Sequence, residues 1–404
     1  MLLSLQLQAR TLQREAQHKT GSSKLYSGAC NDASSHHATV VVDSPITMDA
    51  VEATSAGHAD PERYRSEGEL PRVLHADGAP GVDGLVTWLT ENEAHVRDLL
   101  TRHGALLFRG FDVTEAIEFE RIARAIDHDL QNEYLGLSPR IPLTDYVFTA
   151  SEIPSPFPIP QHNEMSFVAN PPRSLFFWCQ TAPAAGTGET PLTDMRKVYE
   201  DLAPEVRERF ETRGVAMVRN YRAPTKKQRP WDITQLKHWV DMFQTTERAV
   251  VEEKCAREGF TPVWGDDDSL KLFNSQAAVK AHPKTGEPVW FNHAAVFHTS
   301  NGDGELRRVF ELRPSVRSFL AKAGGKAFTK AQRLRKEDNL PLHCTYGDGS
   351  TIPDSDMEAV RDAIWKNLVV TPWRNGDVLA IDNDSTGHGR MPFYGPRMIA
   401  VAWA

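Results

Sequence analysis

Apolar residues along this chain fall into two patterns, short unbroken runs and stripes at helical spacing. GLVTWLTENEAHVRDLLTRHG places Leu85, Trp88, Leu89, Val96, Leu99 and Leu100 on one stripe and ends on Gly104, a residue suited to a helix C-cap. ALLFRGF follows at once and predicts a buried strand, as does SLFFWCQ at 174–180. EAIEFERIARAID predicts a helix with Ile117, Ile122 and Ile126 on one side. TDMRKVYEDLAPEVRERFETRG carries Val198, Leu202, Val206 and Phe210 four apart, again helical. From Asn220 to about His282 the chain is charged and aromatic, with helical patterning in QTTERAVVEEKCAREG. That stretch predicts a helical insertion outside the core, either a cover for an active site or a purely structural addition. Near the end, SDME offers Ser355 and Glu358 as a capping box for a helix with Met357, Val360, Ile364 and Leu368 on its buried stripe. DVLAIDN and MIAVAWA close the chain as strands. Few helices among many short strands favour a mainly β fold, an antiparallel core with flanking helices, over regular βαβ alternation.

Residues 1 to about 65 are rich in Ser, Ala, Thr, His and Asp and lack a sustained apolar period, which predicts a disordered leader before a folded domain at 66–404. Arg10, Arg14, Lys19 and Lys24 face a single acid, Glu15, near the start, a bias also compatible with organelle targeting. The net charge of -8 leaves no basic surplus to neutralise phosphates, which argues against a nucleic-acid partner. No apolar stretch reaches the roughly 20 residues of a membrane span. The four cysteines, Cys30, Cys179, Cys255 and Cys344, form no CxxC pair, and Cys179 reads as a buried thiol. A reducing, cytoplasmic setting fits that usage.

The candidate chemistry sits in PIPQHNEMSF. His162 and Glu164 are two residues apart, and in an extended strand such residues point to the same side. Far downstream, DSTGHGRMPFYGPRMIAVAWA supplies His388. Two imidazoles and a carboxylate on one face of an octahedron leave three positions open, which suits ferrous iron that binds O2 and chelates a second ligand.

The chain resembles the TauD/TfdA (taurine dioxygenase) superfamily, and most of all its SyrP-like and clavaminate synthase-like branch, whose iron carboxylate is Glu. The resemblance runs from about Leu99 to Ala404 through LLFRGF, FTASEIPSPFPIPQHNEMSF, TAPAAGTGETPLTDMRKVYEDL, HPKTGEPVWFNH, TYGDGSTIP and WRNGDVLAIDNDSTGHGRMPFYGPR. It implies a double-stranded β-helix (jelly-roll) core with His162, Glu164 and His388 as ligands of Fe(II). It also implies 2-oxoglutarate as co-substrate with O2, giving succinate and CO2 as an unactivated C–H bond is hydroxylated or desaturated. Thr190, in GETPLTD, matches the threonine that hydrogen-bonds the far carboxylate of 2-oxoglutarate. Arg397, nine residues after His388, matches its ion-pair partner, for which a forked guanidinium is suited. Taurine dioxygenase has a further arginine four residues on, where this chain has Val401; Arg390 is the alternative contributor, or a structural bridge in its turn. Related iron halogenases lack the carboxylate, so Glu164 argues for oxygenation. The branch acts mostly on amino acids, free or tethered to carrier proteins and often in secondary metabolism, so a small amino-acid-like substrate is expected; a homo-oligomer is compatible with the sequence.

Several residues carry a plain structural reading beside a functional one. Asn292 and His293 in VWFNH either line the pocket or tie a loop. Asp382 and Asn383 read as loop-fixing residues before direct catalysts, Arg140 as a substrate-carboxylate partner or a solvated loop arginine, Tyr346-Gly347-Asp348-Gly349 as a turn, and GDDDS at 265–269 as a solvated loop, since its acids lack the EF-hand spacing for calcium. Two other functions compete. A zinc hydrolase could use the same triad, although HxE on a strand is unlike the helical HExxH. A jelly-roll binding module would keep the fold without the metal.

Overall fold

In the computed structural model, residues 60–78, 81–136, 140–151, 153–227, 238–335 and 340–404 are described. The expected leader therefore lies outside the described residues up to 59. Folded structure starts before 66, because Tyr64 is buried edge-on against Trp88 and Phe111 and Arg65–Glu67 pairs with Arg72–His75.

The strands Ala105–Arg109 and Ser174–Thr181 carry the unbroken apolar runs Ala105 to Phe108 and Leu175 to Cys179 because both of their faces are covered. They belong to a seven-stranded sheet ordered Arg65–Glu67, Arg72–His75, Ala105–Arg109, Val378–Asp382, Ser174–Thr181, Met398–Trp403, Phe148–Thr149. Only Arg72–His75 and Ala105–Arg109 run parallel. On one face Leu106, Phe108, Phe176 and Trp178 pack with Leu85, Trp88, Phe119 and Ile122 of the early helices. On the other, Leu107, Leu175, Phe177 and Cys179 join the larger core that surrounds the candidate site. Opposite lies a four-stranded sheet ordered Leu368–Val369, Leu192–Asp194, Thr386–Arg390, Ile159–His162. A second four-stranded sheet runs Leu342–Tyr346, Val215–Tyr221, Leu270–Gln276, Thr261–Trp264. Among the described residues no helix is long and apolar enough to cross a membrane.

Several elements differ from the sequence reading. The early stripe is two helices, Gly81–Glu91 and Glu93–His103, parted at Asn92, whose amide donates to the Trp88 carbonyl at 3.0 Å. Gly104 does cap the second, at φ 73°, with its N–H on Leu100 O. In Ala116–Ile126, Ile122 and Ile126 are buried but Ile117 is exposed. The 195–213 helix breaks before Pro204 into Met195–Asp201 and Pro204–Arg213. The SDME capping box does not form: Pro353 precedes Asp354–Lys366, and Glu358 pairs with Arg307, Arg308 and Arg361. Leu368 lies beyond that helix in a strand.

The 220–282 stretch is not helical throughout and does not stand outside the core. It holds Trp239–Phe243 and Arg248–Arg257, but Leu270–Gln276 pairs with Val215–Tyr221 over seven residues and buries Leu270 and Leu272. The helices Asn301–Leu312 and Val316–Arg333 were not anticipated. The Tyr346–Gly349 segment is a turn, with the Gly349 N–H on Tyr346 O, and 265–269 is a loop closed by Gly265 N to Ser269 O.

One buried imidazole gives the fold an acid limit. His298 donates from Nε2 to the Ile352 carbonyl at 3.1 Å, while Nδ1 lies 2.7 Å from Ser300 Oγ. Burial pushes its pKa down from 6.5 to about 4. Between those values the unfolded chain takes a proton that the folded one refuses, so stability falls as pH drops through the window and is unaffected above it. The expected loss is roughly 3 kcal/mol. Urea midpoints at pH 7.5 and 4.5 should differ less for His298→Gln than for wild type; an unchanged difference would reject this account.

Candidate active site

His162 ends the strand Ile159–His162 and stands directly opposite His388 of Thr386–Arg390. The close approach depends on a glycine: a Cβ on Gly389 would stand 2.5 Å from the Ile159 carbonyl oxygen. The His162 and His388 rings lie 4.5 Å apart, and Phe177 of the large sheet packs 5.2 Å from His388. One nitrogen from each imidazole and one Glu164 oxygen all lie within 4.8 Å of one another. Small side-chain rotations bring such donors around one ion at about 2.0–2.2 Å.

The i, i+2 strand argument does not explain Glu164, which lies past the strand in a turn where Met165 has φ 50°. A side-chain clamp places it instead. Asn383 accepts the Glu164 N–H at 2.7 Å and donates to the carbonyls of Glu164 at 3.0 Å and Pro172 at 2.7 Å. Asn163 returns a bond to the Asn383 carbonyl at 2.8 Å. Asp382 braces the same turn through His282 Nε2 at 2.9 Å and Ser385 Oγ at 3.0 Å. Both residues fix the loop.

The donors are poised for a metal. His162 Nδ1 lies 2.8 Å from the Pro160 carbonyl, which holds the proton on Nδ1 and leaves Nε2 as the ligand atom. His388 is buried, which pushes its pKa well below the usual value, so the imidazole is neutral. Its Nε2 lies 3.6 Å from Glu164 Oε2.

Arg140 is neither solvated nor free for an outside carboxylate in this arrangement. Its side chain is buried and donates to Glu164 Oε2 at 3.1 Å and the Ala150 carbonyl at 2.9 Å. Tyr134, which the sequence reading missed, supports the guanidinium through its ring at 4.1 Å and approaches Glu164 Oε1 at 3.4 Å. Asn292 is a loop tie: its amide donates to Ala278 O and accepts the Ala294 N–H. His293 does reach the site, its ring 4.9 Å from His162, with Nδ1 2.6 Å from Ser166 Oγ. Burial keeps it neutral.

The residues matched to 2-oxoglutarate divide clearly. Arg390 gives its guanidinium to three carbonyls, Ile153, Pro154 and Phe157, at 2.8–2.9 Å, a structural bridge rather than a co-substrate contact. Arg397 is half-buried, donates only Nε to Gly188 O at 2.7 Å, and pairs with no carboxylate among the described residues. Burial, with the Arg390 charge nearby, pushes its pKa down to about 9, which leaves it cationic at neutral pH. Thr190 accepts from Trp373 Nε1 at 3.2 Å, so its own hydroxyl proton remains available to donate.

The model of the taurine catabolism dioxygenase TauD, TfdA family matches residues 70–403. The chain belongs to this family. It is similar to the dapdiamide synthesis protein DdaC of Enterobacter agglomerans, at 30% identity over 307 residues that cover 76% of this chain and 84% of that protein. A clavaminate synthase-like protein of Arabidopsis thaliana is 29% identical over 323 residues, 79% of this chain and 87% of its own. Among solved structures, PvcB of Pseudomonas aeruginosa covers 88% of this chain and 94% of its own at 13% identity and a TM-score of 0.45. As a TauD/TfdA family member the protein is an Fe(II)/2-oxoglutarate-dependent oxygenase, with O2 as oxidant.

Proposed function

We propose that His162, Glu164 and His388 hold the iron, that Thr190 and Arg397 hold the far carboxylate of 2-oxoglutarate, and that the enzyme hydroxylates or desaturates an unactivated C–H bond of a small, amino-acid-like substrate. The observation that carries this reading is the pairing of His162 with His388 across two strands, with Glu164 clamped beside them. When bound, iron with 2-oxoglutarate and O2 supplies the oxidising power for C–H cleavage. The chain's own groups bind and orient. Pro160 O sets the His162 tautomer, Asn383 aims Glu164, and Arg140 holds the carboxylate oxygen in place. The buried neutral rings of His293 and Phe177 keep water from the ligands. The seven-stranded sheet and the sheet that carries His162 and His388 are read as the two walls of a double-stranded β-helix. The buried free thiols Cys179, Cys255 and Cys344 support a cytoplasmic setting. Relatives named for dapdiamide synthesis and for clavaminate synthase support a biosynthetic role on an amino acid, free or carrier-tethered.

An anaerobic Fe(II) titration with 2-oxoglutarate tests the reading. A weak visible charge-transfer band near roughly 500 nm is expected from the chelate. No band, together with tight zinc binding, would move the triad to hydrolase chemistry.

A further inference from the structure

The strand Val215–Tyr221 alternates buried and half-buried positions, so Val215, Met217, Arg219 and Tyr221 share the inward face. An arginine thus stands where the pattern calls for an apolar residue, opposite Leu272 on one neighbouring strand and Leu342 on the other. Arg219 is fully buried, and its Nε, Nη1 and Nη2 make no well-formed hydrogen bond among the described residues. Its guanidinium lies over two rings, 4.5 Å from Phe167 and 4.2 Å from Phe260. No carboxylate among the described residues pairs with it; its polar neighbour is the Tyr221 hydroxyl, which interacts with the guanidinium and keeps its own proton to donate.

The other buried arginines are compensated. Arg361 has Glu305, Glu358 and Ser300; Arg308 has Glu358 and Asp362; Arg140 has Glu164; Arg390 has three carbonyls. Two aromatic faces attract a cation but do not neutralise it, and a buried charge without a counterion is strongly unfavourable. The location gives this charge a use. Phe167 packs 4.8 Å from His293, and His293 packs 4.9 Å from His162, so two rings link Arg219 to the candidate iron ligand. Arg397, beside Gly188 and Phe393, shares none of these neighbours.

We propose that Arg219 is the anchor for a carboxylate of the substrate, with the Tyr221 hydroxyl as second donor, so that the substrate is a free acid and not an amino acid tied through its carboxyl to a carrier. This rests on the proposed iron centre at His162, Glu164 and His388. A guanidinium fork meets both oxygens of a carboxylate, which supplies the missing counterion. Entry requires the enclosing rings of Phe167 and Phe260 to part.

The test uses the full-length protein loaded anaerobically with Fe(II) and 2-oxoglutarate, wild type against Arg219→Met and Arg219→Lys. Thermal unfolding is followed with each of the common L-amino acids and with its carboxamide. Without an amino acid, Arg219→Met should unfold at a higher temperature than wild type, because an unpaired charge has gone, and should keep the visible Fe(II)–2-oxoglutarate band. At least one acid should raise the wild-type transition by several degrees while its carboxamide does not; Arg219→Met should lose that shift and Arg219→Lys keep part of it. The proposal is overturned if Arg219→Met is less stable than wild type, if no acid separates from its carboxamide, or if the shift survives in Arg219→Met. Absence of the band in wild type itself would instead refute the iron centre, and the Arg219-dependent shift would then report an acid site without it.

Discussion

Glu164→Gln abolishes 2-oxoglutarate turnover: succinate release falls by at least about 10³-fold and the visible band of the Fe(II) chelate disappears. The amide removes the one anionic donor of the triad, and the loss of a charged ligand is worth several kcal/mol of metal and transition-state stabilisation. Glutamine is a better first choice than alanine for a structural reason. Arg140 is buried against Glu164 Oε2, and truncation would strand that guanidinium at a cost of about 3–5 kcal/mol. The amide oxygen still accepts from Arg140, so the fold is kept while the ligand is lost. Glu164→Ala should lose turnover as completely and also melt earlier. Wild-type succinate release in Glu164→Gln, measured with the fold intact by circular dichroism, would remove Glu164 from the centre.

The parts of this molecule that could be read from sequence are those in which a single local pattern carries the answer. Ala105–Arg109 and Ser174–Thr181 read as strands because burial on both faces leaves unbroken apolar runs, Ala105 to Phe108 and Leu175 to Cys179, with polar residues only at the ends. Gly104 read as a cap because few other residues take its backbone conformation readily. His162 and Glu164 were found by an argument that reached the right residues through the wrong geometry. The strand ends at His162, and the carboxylate is aimed by Asn383, 219 residues away in the chain. No spacing rule could supply that contact. The 220–282 stretch was misjudged because its charged residues hid a period-two strand, LKLFNSQ, whose inward Leu270 and Leu272 complete a sheet. Arg219 left a signal in VAMVRNY, since it falls in phase with Val215, Met217 and Tyr221. Only the structure shows that its charge has no partner. Arg140 and Arg390 could not be told apart as ligand-facing or structural from sequence, because both answers depend on distant carbonyls and a distant carboxylate.

Arg397→Gln should raise the KM for 2-oxoglutarate by about 30- to 1,000-fold, the range set by roughly 2–4 kcal/mol for one half of a partly buried charge pair, with a much smaller effect on kcat. The reasoning begins with what Arg397 lacks. It is half-buried beside Phe393, makes one hydrogen bond to Gly188 O, and has no carboxylate partner among the described residues. Arg390 adds a like charge nearby, and burial already pushes the Arg397 pKa down to about 9. An incoming dicarboxylate relieves that penalty, so the binding energy is larger than an exposed pair would give. Thr190 completes the contact with a hydroxyl whose oxygen is occupied by Trp373 and whose proton is not. Thr190→Val should therefore raise the same KM by a smaller factor, about 10- to 150-fold for one hydrogen bond to a charged group. Arg390→Gln separates the alternatives. Its guanidinium ties Ile153, Pro154 and Phe157 together, so the variant should lose thermal stability and leave the KM of the remaining folded enzyme near wild type. A KM that rises with Arg390→Gln and not with Arg397→Gln would reverse the two roles.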